Sequence, residues 1–141
     1  MPYAPIIGTL AYVLDRRRDR VLMVHRNARP DDEQFGKYNG LGGKLEADED
    51  VVTCIRREVR EEAGIDVAIV RQIDRAEIIA RDGDGRIERH YVLIVFAGRL
   101  IGGELAAGDD AAEARFVPIA DFARLNLTED TRRILAGGHP L

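Results

Sequence analysis

Glu58, Glu61 and Glu62 stand at i, i+3 and i+4 inside the run Gly43–Ile65, GKLEADEDVVTCIRREVREEAGI. On a helix this spacing stacks three carboxylates along one face. Like charges so placed repel by roughly a few tenths of a kcal/mol per pair unless a cation lies among them. Oxygen-only ligation by several carboxylates suits a hard divalent cation, Mg²⁺ or Mn²⁺, and Mg²⁺ in particular is often shared between carboxylates and substrate phosphates. The chemistry predicted is metal-assisted attack on a phosphate chain. The plainer alternative is a charged surface helix in which Arg56, Arg57 and Arg60 neutralise the acids.

The flanking residues predict how such a helix is held. Asp48 or Asp50 can cap its start, and Gly64 follows its last residue, where glycine accepts a left-handed backbone. Val52, Ile55, Val59 and Ala63 recur on one side and predict the packing face, with the glutamates beside that stripe at the edge of a cleft. Gly40, Gly42 and Gly43 let the preceding backbone bend tightly and expose a carbonyl near the helix start. Cys54 reads as a small helix filler; no histidine follows at a useful spacing, and one cysteine makes no disulfide framework.

Gly43, five residues, Glu49, seven residues, Arg57, Glu58, the aliphatic Val59, one residue, Glu61, Glu62, one residue, Gly64 and the aliphatic Ile65 reproduce a complete motif. The pattern resembles the Nudix box. That resemblance implies hydrolysis of a nucleoside diphosphate linked to another moiety. It also implies that Glu58, Glu61 and Glu62 hold the metal, Mg²⁺ or alternatively Mn²⁺, with help from the Gly43 carbonyl. Arg57 and Glu49 would pair to hold the loop against the helix. A further carboxylate outside the box is expected, with Glu104 the first candidate and Glu113 the second; each also reads as an exposed loop or strand-edge acid. Tyr38–Lys44 looks like the segment preceding the box in MutT-type enzymes, which places Asn39, a reader of a base edge, and Lys44 among the substrate contacts. Tyr38 stands where tryptophan is usual, and the chain has no tryptophan. Glu129 and Asp130 fall roughly where such enzymes carry an acidic pair for the base, although Thr128 followed by two acids is equally a helix start. Arg26 is either a phosphate contact or a solvated strand-end charge.

The expected activity is therefore that of a MutT-like nucleoside triphosphate pyrophosphohydrolase clearing oxidised purine nucleotides such as 8-oxo-dGTP. Hydrolysis of ADP-ribose or another nucleotide sugar is the alternative. A nucleotide-sensing module without catalysis is a third reading, against which the intact glutamates count.

With 141 residues, 45% hydrophobic and 33% charged, residues 1–141 suit one globular domain. A net charge of −4 argues for a small-molecule nucleotide substrate and against a nucleic-acid-binding surface. Pro5–Leu14 is too short to span a bilayer and lacks a basic leader, so no membrane association is expected. The lone cysteine fits a reducing cytoplasm. The family resemblance makes a homodimer plausible.

The patterning predicts strands at Ile6–Leu14 and Val21–His25 joined by an Arg16–Arg20 turn, then a loop over Asn27–Lys37. After the box helix come strands at Val67–Ala80 and Ile87–Phe96, separated by Asp82-Gly83-Asp84-Gly85. These Asp-Gly pairs read as a hairpin turn, because the later glutamate of a calcium loop is missing. Gly102-Gly103 should break the chain before Glu104, Ala114–Pro118 forms a short strand, and a helix from Thr128 to Leu135 ends at Gly137 and Gly138. His25, His90 and His139 are scattered without metal-ligand spacing. The expected fold is α/β, an α/β/α sandwich of the Nudix type, with a mixed sheet between the box helix and the terminal helices.

Overall fold

The computed structural model describes residues 2–26, 30–31, 36–105 and 113–136. Gly137, Gly138, His139 and much of the Asn27–Lys37 loop lie outside the described residues. The first two strands, β1 (Ile6–Leu14) and β2 (Arg20–His25), form an antiparallel pair registered at Val13↔Leu22 and Leu14↔Val21. Asp15 closes the turn between them, its Oδ1 accepting the backbone N–H groups of Asp19 at 3.2 Å and Arg20 at 3.3 Å. This is the solvated arginine-rich tip the sequence predicts.

Beyond that register the two strands part, and the chain segment before the box fills the gap. Its first piece, β3 (Tyr38–Asn39), pairs β2 through Val24↔Asn39 and His25↔Tyr38. Its second, β4 (Leu41–Lys44), pairs β1 from Gly8↔Lys44 to Ala11↔Leu41. The expected tight glycine bend is thus two short strands wedged into a split sheet. Backbone pairing on both sides uses its N–H and C=O groups, a demand that the glycine-rich sequence does not advertise.

Two long strands, β5 (Ile65–Arg81) and β6 (Ile87–Gly103), make an antiparallel hairpin, and β6 runs parallel to β1 from Ile6↔Tyr91 to Leu14↔Arg99. Both strands are longer than the patterning predicts. Gly102 and Gly103 do not interrupt β6; they pair with Asp66 and Ile65 at its end. In the Asp82–Gly85 turn, Asp82 Oδ1 accepts from the N–H groups of Asp84 and Arg86. The last strand, β7 (Glu113–Pro118), pairs the other side of β2 and completes a mixed seven-stranded sheet.

Alternation along these strands divides the core in two. Ala11 and Val13 of β1 with Leu22 and Val24 of β2 face α1 (Val51–Ala63), meeting Ile55, Val59 and Ala63. Tyr12 and Leu14 with Val21 and Met23 face the opposite way, towards α2 (Glu129–Ala136) and its buried Ile134. Asp50 caps α1, its Oδ1 accepting the Thr53 N–H at 2.7 Å, and Gly64 ends the helix at φ 72°. Asp48 instead takes a left-handed turn at φ 63°. Val52 departs from the predicted packing stripe: it is 41% exposed, while Val51 packs partly against the core and Cys54 is fully buried. Val51, four positions before Ile55, takes the packed face at the first turn in place of Val52. A short 3₁₀ helix at Ile119–Arg124, which the sequence pattern does not announce, precedes α2. Among the described residues no helix is long and apolar enough to cross a membrane.

Three hydroxyls fasten α2 to the sheet. Tyr12 Oη lies 2.7 Å from Thr131 Oγ1, which also accepts from Thr128 Oγ1 at 2.8 Å, and the Thr131 N–H reaches Thr128 Oγ1 at 3.3 Å. Burial pushes the Tyr12 phenol up to about 12, so it stays neutral within this network. In Tyr12→Phe one hydrogen bond is lost while Thr131 keeps Thr128. The variant should lose about 1 kcal/mol of stability and melt a few degrees lower, as measured by calorimetry at neutral pH.

Candidate functional site

Register and helix packing converge at Gly43. The residue pairs with Thr9 on β1, and α1 crosses the same face of the sheet. A Cβ at Gly43 would lie 2.2 Å from Glu58 Cδ and 2.4 Å from both of its carboxylate oxygens. Only glycine lets the Glu58 carboxylate rest against this backbone. The Gly43 carbonyl oxygen accepts the Thr9 hydroxyl at 3.2 Å, and Thr9 Oγ1 lies 3.3 Å from Cys54 Sγ. Burial pushes the Cys54 thiol up, towards its neutral form.

Arg57 organises the acids. Glu49 grips its guanidinium in a two-pronged pair, Nε to Oε2 at 3.1 Å and Nη2 to Oε1 at 2.8 Å. Nη1 donates to Glu58 Oε1 at 2.9 Å and Glu61 Oε2 at 3.2 Å, and lies 3.5 Å from Glu46 Oε1. Nη2 also reaches the Lys44 carbonyl at 3.3 Å. The Arg57 hydrogen bonds and the Glu46 N–H hold the Glu49 carboxyl down at about 2, and Glu49 in turn pushes the Arg57 guanidinium up. Both box readings of the sequence therefore coexist: an arginine does neutralise the acids, and the acids do share one edge of the helix.

Carboxylate oxygens together with a backbone carbonyl are a donor set suited to a hard cation. The cradle at Gly43 adds a geometric reason, since it seats a carboxylate beside that carbonyl. Among the described residues no three His, Cys, Asp or Glu side chains are already drawn into a cation cage. Glu58 and Glu61 share Nη1, and Glu61, 61% exposed, has room to turn. Glu62 sits half-buried on the same helix.

The other predicted residues divide into near and far. Asn39 lies opposite Val24 in the β2–β3 register, so its side chain shares the α1 face. Its Oδ1 is buried without a hydrogen-bond partner among the described residues. Tyr38 points the other way, stacked on His25 with centroids 4.4 Å apart and covered by Arg115; it is a core residue, not a platform for a base. Arg26 follows β2 and continues the β2–β3 pairing, its N–H donating to the Lys37 carbonyl at 2.9 Å. Lys44, next along the strand from Gly43, leaves on the opposite side, with Nζ 5.9 Å above the Tyr91 ring. It is not brought to the glutamates. Glu129 and Asp130 are exposed on the first turn of α2 behind the Thr128 cap, and Asp130 lies 3.8 Å from Arg133. Leu127 bridges Tyr38, so this turn adjoins β3.

The two candidates for a further carboxylate separate clearly. Glu104 follows Gly103, which pairs with Ile65 and packs closely on the Gly64 carbonyl, so its backbone stands at the C-terminal end of α1, beyond Glu61 and Glu62. Glu113 pairs with His25, which pairs with Tyr38, so its backbone lies two strands from the segment entering the box. Paired positions share a face, so the register puts position 113 on the Tyr38 side of the sheet, opposite α1. Sequence reasoning also missed Thr9 and Glu46: the first looks like any strand threonine, and the second like any loop acid.

A sequence model of the NUDIX domain matches residues 5–137. The chain belongs to the Nudix family. It is 33% identical over 107 residues to a protein named ADP-ribose pyrophosphatase from Methanocaldococcus jannaschii, covering 76% of this chain and 59% of that one. A protein named NAD-capped RNA hydrolase NudC from Pseudomonas aeruginosa is 31% identical over 109 residues, 77% of this chain and 35% of its own length. The chain thus spans less than two thirds of the length of these curated relatives. Among solved structures, a MutT protein from Bacillus halodurans superposes with a TM-score of 0.75 at 23% identity, over 93% of this chain and 80% of that one. That likeness corroborates the Nudix α/β fold.

The depressed Glu49 carboxyl carries a pH dependence with a definite sign. Its folded value near 2 lies below the ordinary value of 4.5, so its stabilising pairing is complete above pH 4.5 and is lost as pH falls towards 2. Glu49→Gln should melt below wild type at pH 6, and the gap should close over that acid window. A gap that persists undiminished at pH 2.5 would place the effect in packing instead.

Proposed function

We propose that this Nudix chain is a divalent-cation-dependent pyrophosphohydrolase acting on a purine nucleoside diphosphate linked to a second group. The observation that carries this reading is the cradle in which the Glu58 carboxylate lies against Gly43, with Glu61 sharing the Arg57 Nη1 and Glu62 one turn further along α1. Mg²⁺, or Mn²⁺ in its place, held by the three glutamates and the Gly43 carbonyl would neutralise the diphosphate and lower the pKa of an attacking water. The chain's own residues do the rest. Glu49 anchors Arg57, and Arg57 ties the loop after β4 to α1, which fixes the spacing of Gly43 and Glu58. The unpartnered Asn39 Oδ1 supplies an acceptor for an N–H on a purine edge. Arg26, at the end of β2, is the proposed phosphate contact. Glu104, beside the C-terminal end of α1, is the choice for the additional carboxylate.

ADP-ribose is the first substrate in this reading, supported by the 33% identical relative of that name. Oxidised purine triphosphates such as 8-oxo-dGTP are the second, supported by Asn39 in its MutT-like position. The buried Tyr38 and the Asp130–Arg133 pair weaken that second reading.

A Mg²⁺-dependent product screen separates them. ADP-ribose should yield AMP and ribose 5-phosphate; a triphosphate should yield the monophosphate and pyrophosphate. Turnover of oxidised triphosphates with ADP-ribose untouched would reverse the order, and no metal-dependent turnover of any nucleotide would overturn the proposal. Glu62→Gln should lower kcat by about 100-fold or more with its melting temperature preserved or raised. Asn39→Ala should cost about 5- to 150-fold in kcat/KM for the favoured purine substrate, and little for a poor one; an equal loss on every substrate would mean that Asn39 only braces the sheet.

A further inference from the structure

Thr9 lies outside the box motif, yet it touches the backbone atom on which the motif depends. It is 2% exposed, sits opposite Gly43 in the β1–β4 register, and donates its hydroxyl proton to the Gly43 carbonyl oxygen at 3.2 Å. Threonine has a single hydroxyl proton. With that proton committed to Gly43, Thr9 Oγ1 is left as an acceptor for the Cys54 S–H, 3.3 Å away. Cys54 is fully buried on α1, with Sγ also 4.0 Å from the same carbonyl. The Cys54 S–H thus reaches the carbonyl through Thr9 Oγ1 or directly, and both routes join α1 to β4.

From this geometry we infer that Thr9 and Cys54 are positioning residues that orient the Gly43 carbonyl for the cation. The inference rests on the metal reading above and deepens it. A strand carbonyl swings as its peptide plane rotates about the chain, and its lone pairs are directional acceptors. A hydroxyl fixed from the neighbouring strand restrains that swing, and a thiol fixed from the helix restrains the hydroxyl. Oxygen ligands are commonly fixed by such outer hydrogen bonds, whose removal costs roughly 10- to 100-fold in metal affinity or activity. The same three groups tie α1, β1 and β4 together at one point, so the carbonyl and the Glu58 carboxylate move as one unit.

The test is direct Mn²⁺ binding to the full chain, by electron paramagnetic resonance titration without nucleotide, alongside the melting temperature of the metal-free protein. Thr9→Val keeps the branched shape suited to a strand and removes only the hydroxyl. It should weaken Mn²⁺ binding about tenfold and lower kcat while changing KM little. Thr9→Ser restores the hydroxyl and should return binding to within about threefold of wild type. Cys54→Ala, which leaves Thr9 in place but frees its orientation, should give a smaller loss in the same direction; it keeps the proposal falsifiable should Thr9→Val fail to fold. Wild-type Mn²⁺ affinity in both Thr9→Val and Cys54→Ala, with only the melting temperature lowered, would overturn the positioning role and leave the metal reading intact. A wild-type chain that binds no Mn²⁺ would overturn both.

Discussion

One guanidinium holds the functional end of this protein together. Arg57 lies among Glu46, Glu49, Glu58 and Glu61 and also reaches the Lys44 carbonyl, so β4, the loop after it and α1 share a single cation. Isolated surface ion pairs contribute little, but a two-pronged arginine–carboxylate pair within a network is the exception in geometry and strength. Glu49 is the partner that matters most for the arginine's charge, and its side chain is only 10% exposed. The remaining acids can then approach one another without the repulsion that three carboxylates on one helix face would otherwise impose.

That arrangement depends on an unusual feature of the sheet. Because β1 and β2 part after two registered pairs, β3 and β4 enter between them and bring Gly43 under α1. Asn39 and Gly43 are consequently both on strands rather than on a free loop. Strand pairing fixes their positions more tightly than a turn would, and a site that must place a carbonyl beside a carboxylate benefits from that stiffness. The split also explains why Tyr38 is unsuited to stacking on a base: its side chain faces the α2 core, one residue out of phase with Asn39.

The far side of the sheet contributes order rather than chemistry. The Tyr12–Thr131–Thr128 network and the Arg133–Asp74 pair at 2.8 Å fasten α2 across β1 and β5. Thr128, Glu129 and Asp130 accordingly act together as a helix start, with Thr128 capping and the acids at the N-terminal end of the helix dipole.

The sequence by itself determined the box helix, its caps at Asp50 and Gly64, the Arg57–Glu49 pair and the family, because these depend on spacings within about twenty residues of chain. Short-range periodicity also located β1, β2 and the β5–β6 hairpin. Tertiary structure alone decided what is non-local: that the end of β6 before Glu104 pairs beside the end of α1, that Lys44 turns towards Tyr91, that Val52 is exposed, and that Thr9 meets the Gly43 carbonyl across 34 positions of sequence. The physical reason is strand register. A pairing between distant segments sets which residues are level and which face each occupies, and a shift of one position reverses every side chain, whereas nothing in the local pattern of Thr9 or Glu104 records its partner.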